Sequence, residues 1–211
     1  MGDDPSRTIT VVSGLPRSGT SLMMQMLEAA GLALATDRQR EADADNPKGY
    51  YELEAVKGLR RDAAFLADAV GHAVKVVAPL LPSLPDDYDY CVVFMERDLR
   101  EVLASQRAML ARIRSGEVDA DEAALGRAYA SGLQEVKAWL AGRENVRTCY
   151  VSHRQVLRAP REAAVAVEAF LVQTGVFAAE RAMDSAGSRV ARMAGVVDVK
   201  LHRRRGESTL S

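Results

Sequence analysis

Residues 8–27 read TITVVSGLPRSGTSLMMQML. The first six form a β-branched, largely apolar run that halts at Gly14, and this pattern predicts a buried strand. From Thr20 onward Leu22, Met23, Met26, Leu27 and Ala30 recur at helical spacing, and Gly31 ends the run. Between the two segments, Gly14 and Gly19 frame Leu15-Pro16-Arg17-Ser18, and Thr20 and Ser21 follow. A strand, a glycine-framed loop and a helix make an anion-binding unit. Backbone N–H groups of the loop and the positive end of the helix face the same space.

The glycine spacing, with a hydroxyl residue two positions after Gly19, is that of a Walker A loop. The lysine of that loop is missing: its place is taken by Thr20, and the loop's cation is Arg17. In nucleoside-triphosphate enzymes the lysine reaches the β- and γ-phosphates, so its loss argues against ATP or GTP hydrolysis. What remains suits one phosphate in the cradle, with Arg17 beside the next electrophilic centre.

Outward from this unit the two periodicities alternate. Residues 35–49, ATDRQREADADNPKG, carry few apolar groups and read as a loop at the edge of the site. Residues 51–70 mix apolar and charged residues at helical spacing. AVKVVA (73–78) and YCVVFM (90–95) are expected strands, the first broken by Pro79 and Pro82, the second preceded by the turn-forming PDDYD. Helices are expected from about Leu99 to Ile113 and over 120–142, with a turn near Ser115-Gly116. A strand at 146–152 (VRTCYVS) and a helix at 160–172 follow. Periodicity weakens after Gly175, and the basic run LHRRRG occupies 201–206. Strands alternating with helices predict an α/β fold. The expected unit is one P-loop-type, three-layer domain over residues 1–211, a mostly parallel sheet flanked by helices, with flexible ends at roughly 1–7 and 206–211.

Composition narrows the function classes. The 28 Lys and Arg against 29 Asp and Glu give a formal net charge of -1. No global field draws nucleic acid or an anionic membrane, and neither is expected as a partner; cations for an anionic ligand must be gathered locally. Cys91 and Cys149 lie far apart in apolar runs, which reads as two buried thiols in a reducing, cytoplasmic compartment rather than a disulfide framework. The opening MGDDPSRT lacks the apolar stretch of a secretion signal, and no later stretch has the length to span a bilayer. His72, His153 and His202 have no partner at metal-ligand spacing, and no metal is expected.

VVSGLPRSGTSLMMQML resembles the 5′-phosphosulfate-binding loop of sulfotransferases that use 3′-phosphoadenosine 5′-phosphosulfate (PAPS), most nearly that of tyrosylprotein sulfotransferases and bacterial relatives. The resemblance implies that Arg17 lies against the bridging oxygen and the sulfuryl group, and that Ser18, Thr20 and Ser21 hold the 5′-phosphate. It places Gly14, Pro16 and Gly19 against the cofactor with them. A second stretch, CVVFMERDLREVLASQR (91–107), is similar to the strand and helix on which family members bind the 3′-phosphate. Their arginine at the strand end and serine eight positions on correspond to Arg97 and Ser105. A third, AVKVVAPLLPSLP (73–85), resembles the KTH-containing strand and puts Lys75 on the lysine that reaches the sulfuryl oxygens or the 5′-phosphate.

The chain also departs from the family. Cytosolic members carry a histidine base two places after that lysine, where this sequence has Val77, so the histidine mechanism does not carry over. The tyrosylprotein type uses a carboxylate about twenty residues past the loop arginine. That spacing falls on Asp37, with Glu52 as the alternative. The run at 201–206 resembles the basic C-terminal segment that closes over the 3′-phosphate, with Arg203 and Arg205 as candidates; a solvated tail is the other reading. The likeness is strongest over residues 8–112.

The expectation is a sulfotransferase that moves the sulfuryl group of PAPS to a hydroxyl or amine of a small-molecule or peptide acceptor, with Arg17, Lys75 and Asp37 as its catalytic groups. Two other classes stay open. A P-loop kinase would turn over ATP with Mg²⁺, Asp98 then being the metal-holding carboxylate. A non-catalytic binding module would keep the nucleotide contacts without a base. At residue level, Arg97 can instead pair with Glu101 and leave Ser105 on a helix surface.

Overall fold

Every residue of Thr8–Gly14 (β1) is buried, and successive side chains divide between two cores. Val12 packs with Val93 and Met95 on one face, whereas Ile9 and Val11 pack with Val92 and Phe94 on the other. A strand covered on both faces belongs inside a parallel sheet. In the computed structural model, which describes residues 7–37, 49–114, 122–177 and 182–198, β1 is the centre of such a sheet. It pairs with Ala73–Lys75 (β3) on one side and Asp89–Glu96 (β4) on the other. Leu34–Ala35 (β2) and Val146–Ser152 (β5) form the edges. The order is β2-β3-β1-β4-β5, and all four pairings are parallel.

Helices cover both faces. Against the first lie Thr20–Ala29 (α1), His153–Arg158 (α4), Pro160–Gln173 (α5) and Ala182–Gly195 (α6); their Met23, Met26, Val156, Val167 and Met193 are buried together. Leu99–Arg114 (α2) leads to Glu122–Ala141 (α3), whose Val136 and Leu140 cover the second face with Val56, Leu66 and Leu81 from short 3₁₀ turns. The fold is therefore α/β, a five-stranded parallel sheet flanked by helices, as the alternation of strands and helices predicts.

Several boundaries differ from the expected ones. Residues 51–70 form no continuous helix but two 3₁₀ turns, Glu54–Gly58 and Ala64–Ala67. Between them the Asp62 carboxylate accepts the Ala64 N–H at 2.9 Å, a local bond that competes with helical pairing. The strand expected over 73–78 stops at Lys75, because Ala78–Ser83 turns into a 3₁₀ segment with Pro79 and Pro82. Sequence reading also passed over β2, α4 and α6.

The α6 omission has an identifiable cause. Its anchor is polar: Arg189 Nη1 donates to Glu168 Oε1 of α5 at 2.7 Å, with both side chains more than nine-tenths buried. The same guanidinium lies 4.2 Å from the centre of the Phe177 ring, and Arg192 Nε donates to the Ala29 carbonyl at the end of α1 at 2.7 Å. Arg189→Ala strands a buried carboxylate and is expected to cost about 3–5 kcal/mol in denaturant unfolding. The double variant Glu168→Leu/Arg189→Met should recover most of that loss. A single-variant cost below about 1 kcal/mol would show that the pair does not anchor α6.

Candidate functional site

The chain leaves β1 into α1 on one face of the sheet and leaves β4 toward α3 on the opposite face. Neighbouring strands whose connections diverge in this way open a crevice at their carboxyl ends, the usual binding place in open α/β sheets. The loop 14–19 lies there.

Its glycines are required sterically. A Cβ at Gly14 would stand 2.4 Å from Ser18 Oγ and 2.6 Å from the Met95 carbonyl oxygen. One at Gly19, the N-cap of α1 with φ 99°, would stand 2.6 Å from Cδ2 of the buried His153. Close packing of backbone on strand and ring leaves Ser18 Oγ and Ser13 Oγ buried with no hydrogen-bond partner among the described residues, a condition that costs roughly 1–3 kcal/mol per group. Arg17 adopts φ 71°, a left-handed conformation disfavoured for any residue with a Cβ.

Arg97, just past the end of β4, and side chains of α2 hold Arg17 in that conformation. Arg97 Nη1 donates to the Arg17 carbonyl at 2.9 Å. Arg17 Nε donates to Ser105 Oγ at 3.1 Å, and its Nη1 lies 4.0 Å from Met109 Sδ. Arg17, Arg97 and Ser105 thus meet at one edge of the loop. The alternative pairing is present as well: Arg97 Nε donates to Glu101 Oε2 at 2.9 Å, and Arg154 Nη2 of α4 donates to Glu101 Oε1 at 3.4 Å. The Arg97 hydrogen bond, and then its charge and the Arg154 contact, hold the Glu101 carboxyl below the usual range against an opposing effect of burial. Asp98 caps α2, its Oδ1 accepting the Arg100 N–H at 2.8 Å.

Lys75 does not snorkel to water, being only 8% exposed. Its Nζ donates to Ser21 Oγ at 3.2 Å and to the Tyr50 carbonyl, and stands 3.7 Å from Glu52 Oε1. Ser21 Oγ in turn donates to the same carbonyl at 3.2 Å. The second carboxylate is engaged elsewhere: Asp37 Oδ2 accepts the Glu54 N–H at 2.7 Å. Thr36 Oγ1 and the Asp37 N–H both bond the Glu52 carbonyl, at 2.8 and 3.2 Å, so 36–37 and 52–54 are laced together.

Gly14, Ser18, Gly19, Thr20 and Ser21 lie on the loop and the first turn of α1 with Pro16 and Arg17. Arg203 and Arg205 lie outside the described residues. Trp139 packs on Arg143, and Tyr150 meets Phe94 edge-on at 5.6 Å. Sequence reading missed His153, which backs Gly19, and the Tyr50 carbonyl, a main-chain group with no residue signature. It also treated Glu101 only as a competitor for Arg97 and passed over Arg154.

Gly19→Ala meets both a collision and an unfavourable φ, and is expected to lower unfolding stability by about 1–3 kcal/mol. Adding His153→Ala should return the collision part only. An additive double variant would show that the ring does not press on Gly19. No protein-family model matches this chain, and no curated protein matches it significantly.

Proposed function

We propose that the chain is a PAPS-dependent sulfotransferase acting on a hydroxyl or amine acceptor. The observation that carries this reading is the convergence of Arg97 and Ser105 on the loop arginine. An arginine and a serine eight residues apart, meeting beside an anion-binding loop, suit a second phosphate on the same nucleotide. The 5′-phosphosulfate would take the loop N–H groups with Ser18, Thr20 and Ser21, and would give the orphaned Ser18 hydroxyl an acceptor.

In this reaction the acceptor oxygen or nitrogen forms a bond to sulfur as the bond from sulfur to the bridging oxygen breaks. The electron pair remains on adenosine 3′,5′-bisphosphate, and the acceptor proton passes to a carboxylate. Lys75 is a buried cation hydrogen-bonded to a hydroxyl and a carbonyl, and with Arg17 it opposes the charge growing on the leaving oxygen. Of the two carboxylates, Glu52 is the better placed to act as the base. It stands beside Lys75, whereas Asp37 is bonded to the turn that starts at Glu54.

We place the protein in the cytoplasm, with both cysteines unbridged. No helix among the described residues is long and apolar enough to cross a membrane.

Wild type should bind adenosine 3′,5′-bisphosphate more tightly than 5′-AMP by calorimetry, and Arg97→Ala should lose about ten- to a hundredfold of affinity for the bisphosphate alone. Equal affinities on wild type would sink the reading. Divalent-dependent ATPase activity lost in Ser21→Ala would favour the kinase reading instead.

With labelled PAPS and an acceptor found by screening, Glu52→Gln should lose about 10²–10⁴-fold in turnover while bisphosphate affinity stays within about twofold. Asp37→Asn should keep turnover and lose some stability, roughly 0.5–2 kcal/mol, as a weakened turn cap. The reverse result would return the base to Asp37.

A further inference from the structure

Register brings two guanidinium groups to the same rim. Glu96 at the end of β4 stands opposite Ser152 at the end of β5. Arg97 follows the first immediately, and Arg154 lies two residues beyond the second. Both donate to one carboxylate, Glu101, from opposite oxygens: Arg97 to Oε2 at 2.9 Å and Arg154 to Oε1 at 3.4 Å. Arg97 is the more enclosed of the three, with 19% of its side chain exposed against 42% for Glu101 and 63% for Arg154.

The charges of this group are unbalanced. One carboxylate faces two guanidiniums, which leaves a surplus of one positive charge. A phosphate monoester carries about -1.5 to -2 near neutral pH, so it matches the two arginines better than the carboxylate does. The Arg97 fork is also only partly used by Glu101, because its Nη1 is directed to the Arg17 carbonyl.

We infer that Glu101 is a built-in competitor for the nucleotide's 3′-phosphate, and that Arg154 is a further ligand of that phosphate, shared with Arg97 once the phosphate displaces the carboxylate. This rests on the sulfotransferase reading, since it presumes a ligand with a 3′-phosphate at Arg97. The consequence is a moderated affinity for the bisphosphate product. Every molecule that leaves is replaced at the arginines by a tethered carboxylate, which needs no diffusion to arrive. A 5′-phosphate seated in the loop meets neither group.

The test is calorimetry and stopped-flow dissociation with adenosine 3′,5′-bisphosphate and 5′-AMP on the full chain. Glu101→Gln keeps the side chain's size and should bind the bisphosphate about three- to fivefold more tightly, the gain appearing as slower dissociation. Arg154→Gln should bind it about three- to fivefold more weakly. Both variants should leave 5′-AMP affinity unchanged, and thermal unfolding checks that they are folded. Weaker bisphosphate binding by folded Glu101→Gln would make Glu101 an orienting partner of Arg97 and overturn the competition. Unchanged binding by folded Arg154→Gln would remove Arg154 from the ligand set. In both cases a wild-type preference for the bisphosphate over 5′-AMP leaves the sulfotransferase reading standing; absence of that preference overturns the reading and the inference together.

Discussion

Parallel pairing of β1 with β4 runs from Thr8 opposite Asp89 to Gly14 opposite Met95, and the placement of each charged group at the site follows from that registration and its neighbours. Arg97 comes two residues after Met95, which brings it beside the loop that starts at Gly14. On the other side of β1, Val12 pairs with Lys75, so the lysine emerges level with the start of the same loop. On the far side of β4, the pairing of Glu96 with Ser152 carries His153 under Gly19. A shift of one residue in any ladder would turn those side chains to the wrong face. Gly14 guards the central registration, because the space of its missing Cβ is taken by Ser18 and the Met95 carbonyl.

A chain of net charge -1 still assembles a cationic rim, by the way its cations are satisfied. Lys75 is hydrogen-bonded to a hydroxyl and a carbonyl, Arg17 to a hydroxyl, and Arg97 in part to a carbonyl. Neutral acceptors meet the geometric demands of buried donors without cancelling their charge. Carboxylates take part at the margins, through Glu52 and Glu101, both more exposed than the cation each accompanies. Among the described residues, three cations are thus gathered around the loop in a chain of no net positive charge.

How much of this could be read from the sequence depended on whether a feature is written in residue types. The loop, the strands on either side of it and the helix after it were legible because apolar periodicity and glycine placement are explicit there. The Arg97–Ser105 spacing was also legible, and so was its rival, the pairing of Arg97 with Glu101; Arg97 makes that pair and bonds the Arg17 carbonyl as well, because a guanidinium has donors enough for several. The lacing of 36–37 to 52–54 was not legible, since every partner on the 52–54 side is a main-chain group. Nor was α6, whose buried Val190 and Met193 are joined by an ion pair of Arg189 with Glu168 that apolar periodicity does not register. The strand at Leu34–Ala35 is too short for an alternation to show.

The central position of β1 also bears on how the chain reaches this structure. Its pairing partners are β3 and β4, and β4 lies about eighty residues further along, so the pairing closes a long loop and raises contact order. During synthesis from the N-terminus the apolar run at 8–14 leaves the ribosome without either neighbour, and α1 has no completed sheet to pack against. The anion loop, although near the beginning of the sequence, can take its final shape only after residue 95 has emerged to close the space beside Gly14. In the interval the exposed run is a target for chaperones and for aggregation, and the loop takes shape well after its own residues have been made.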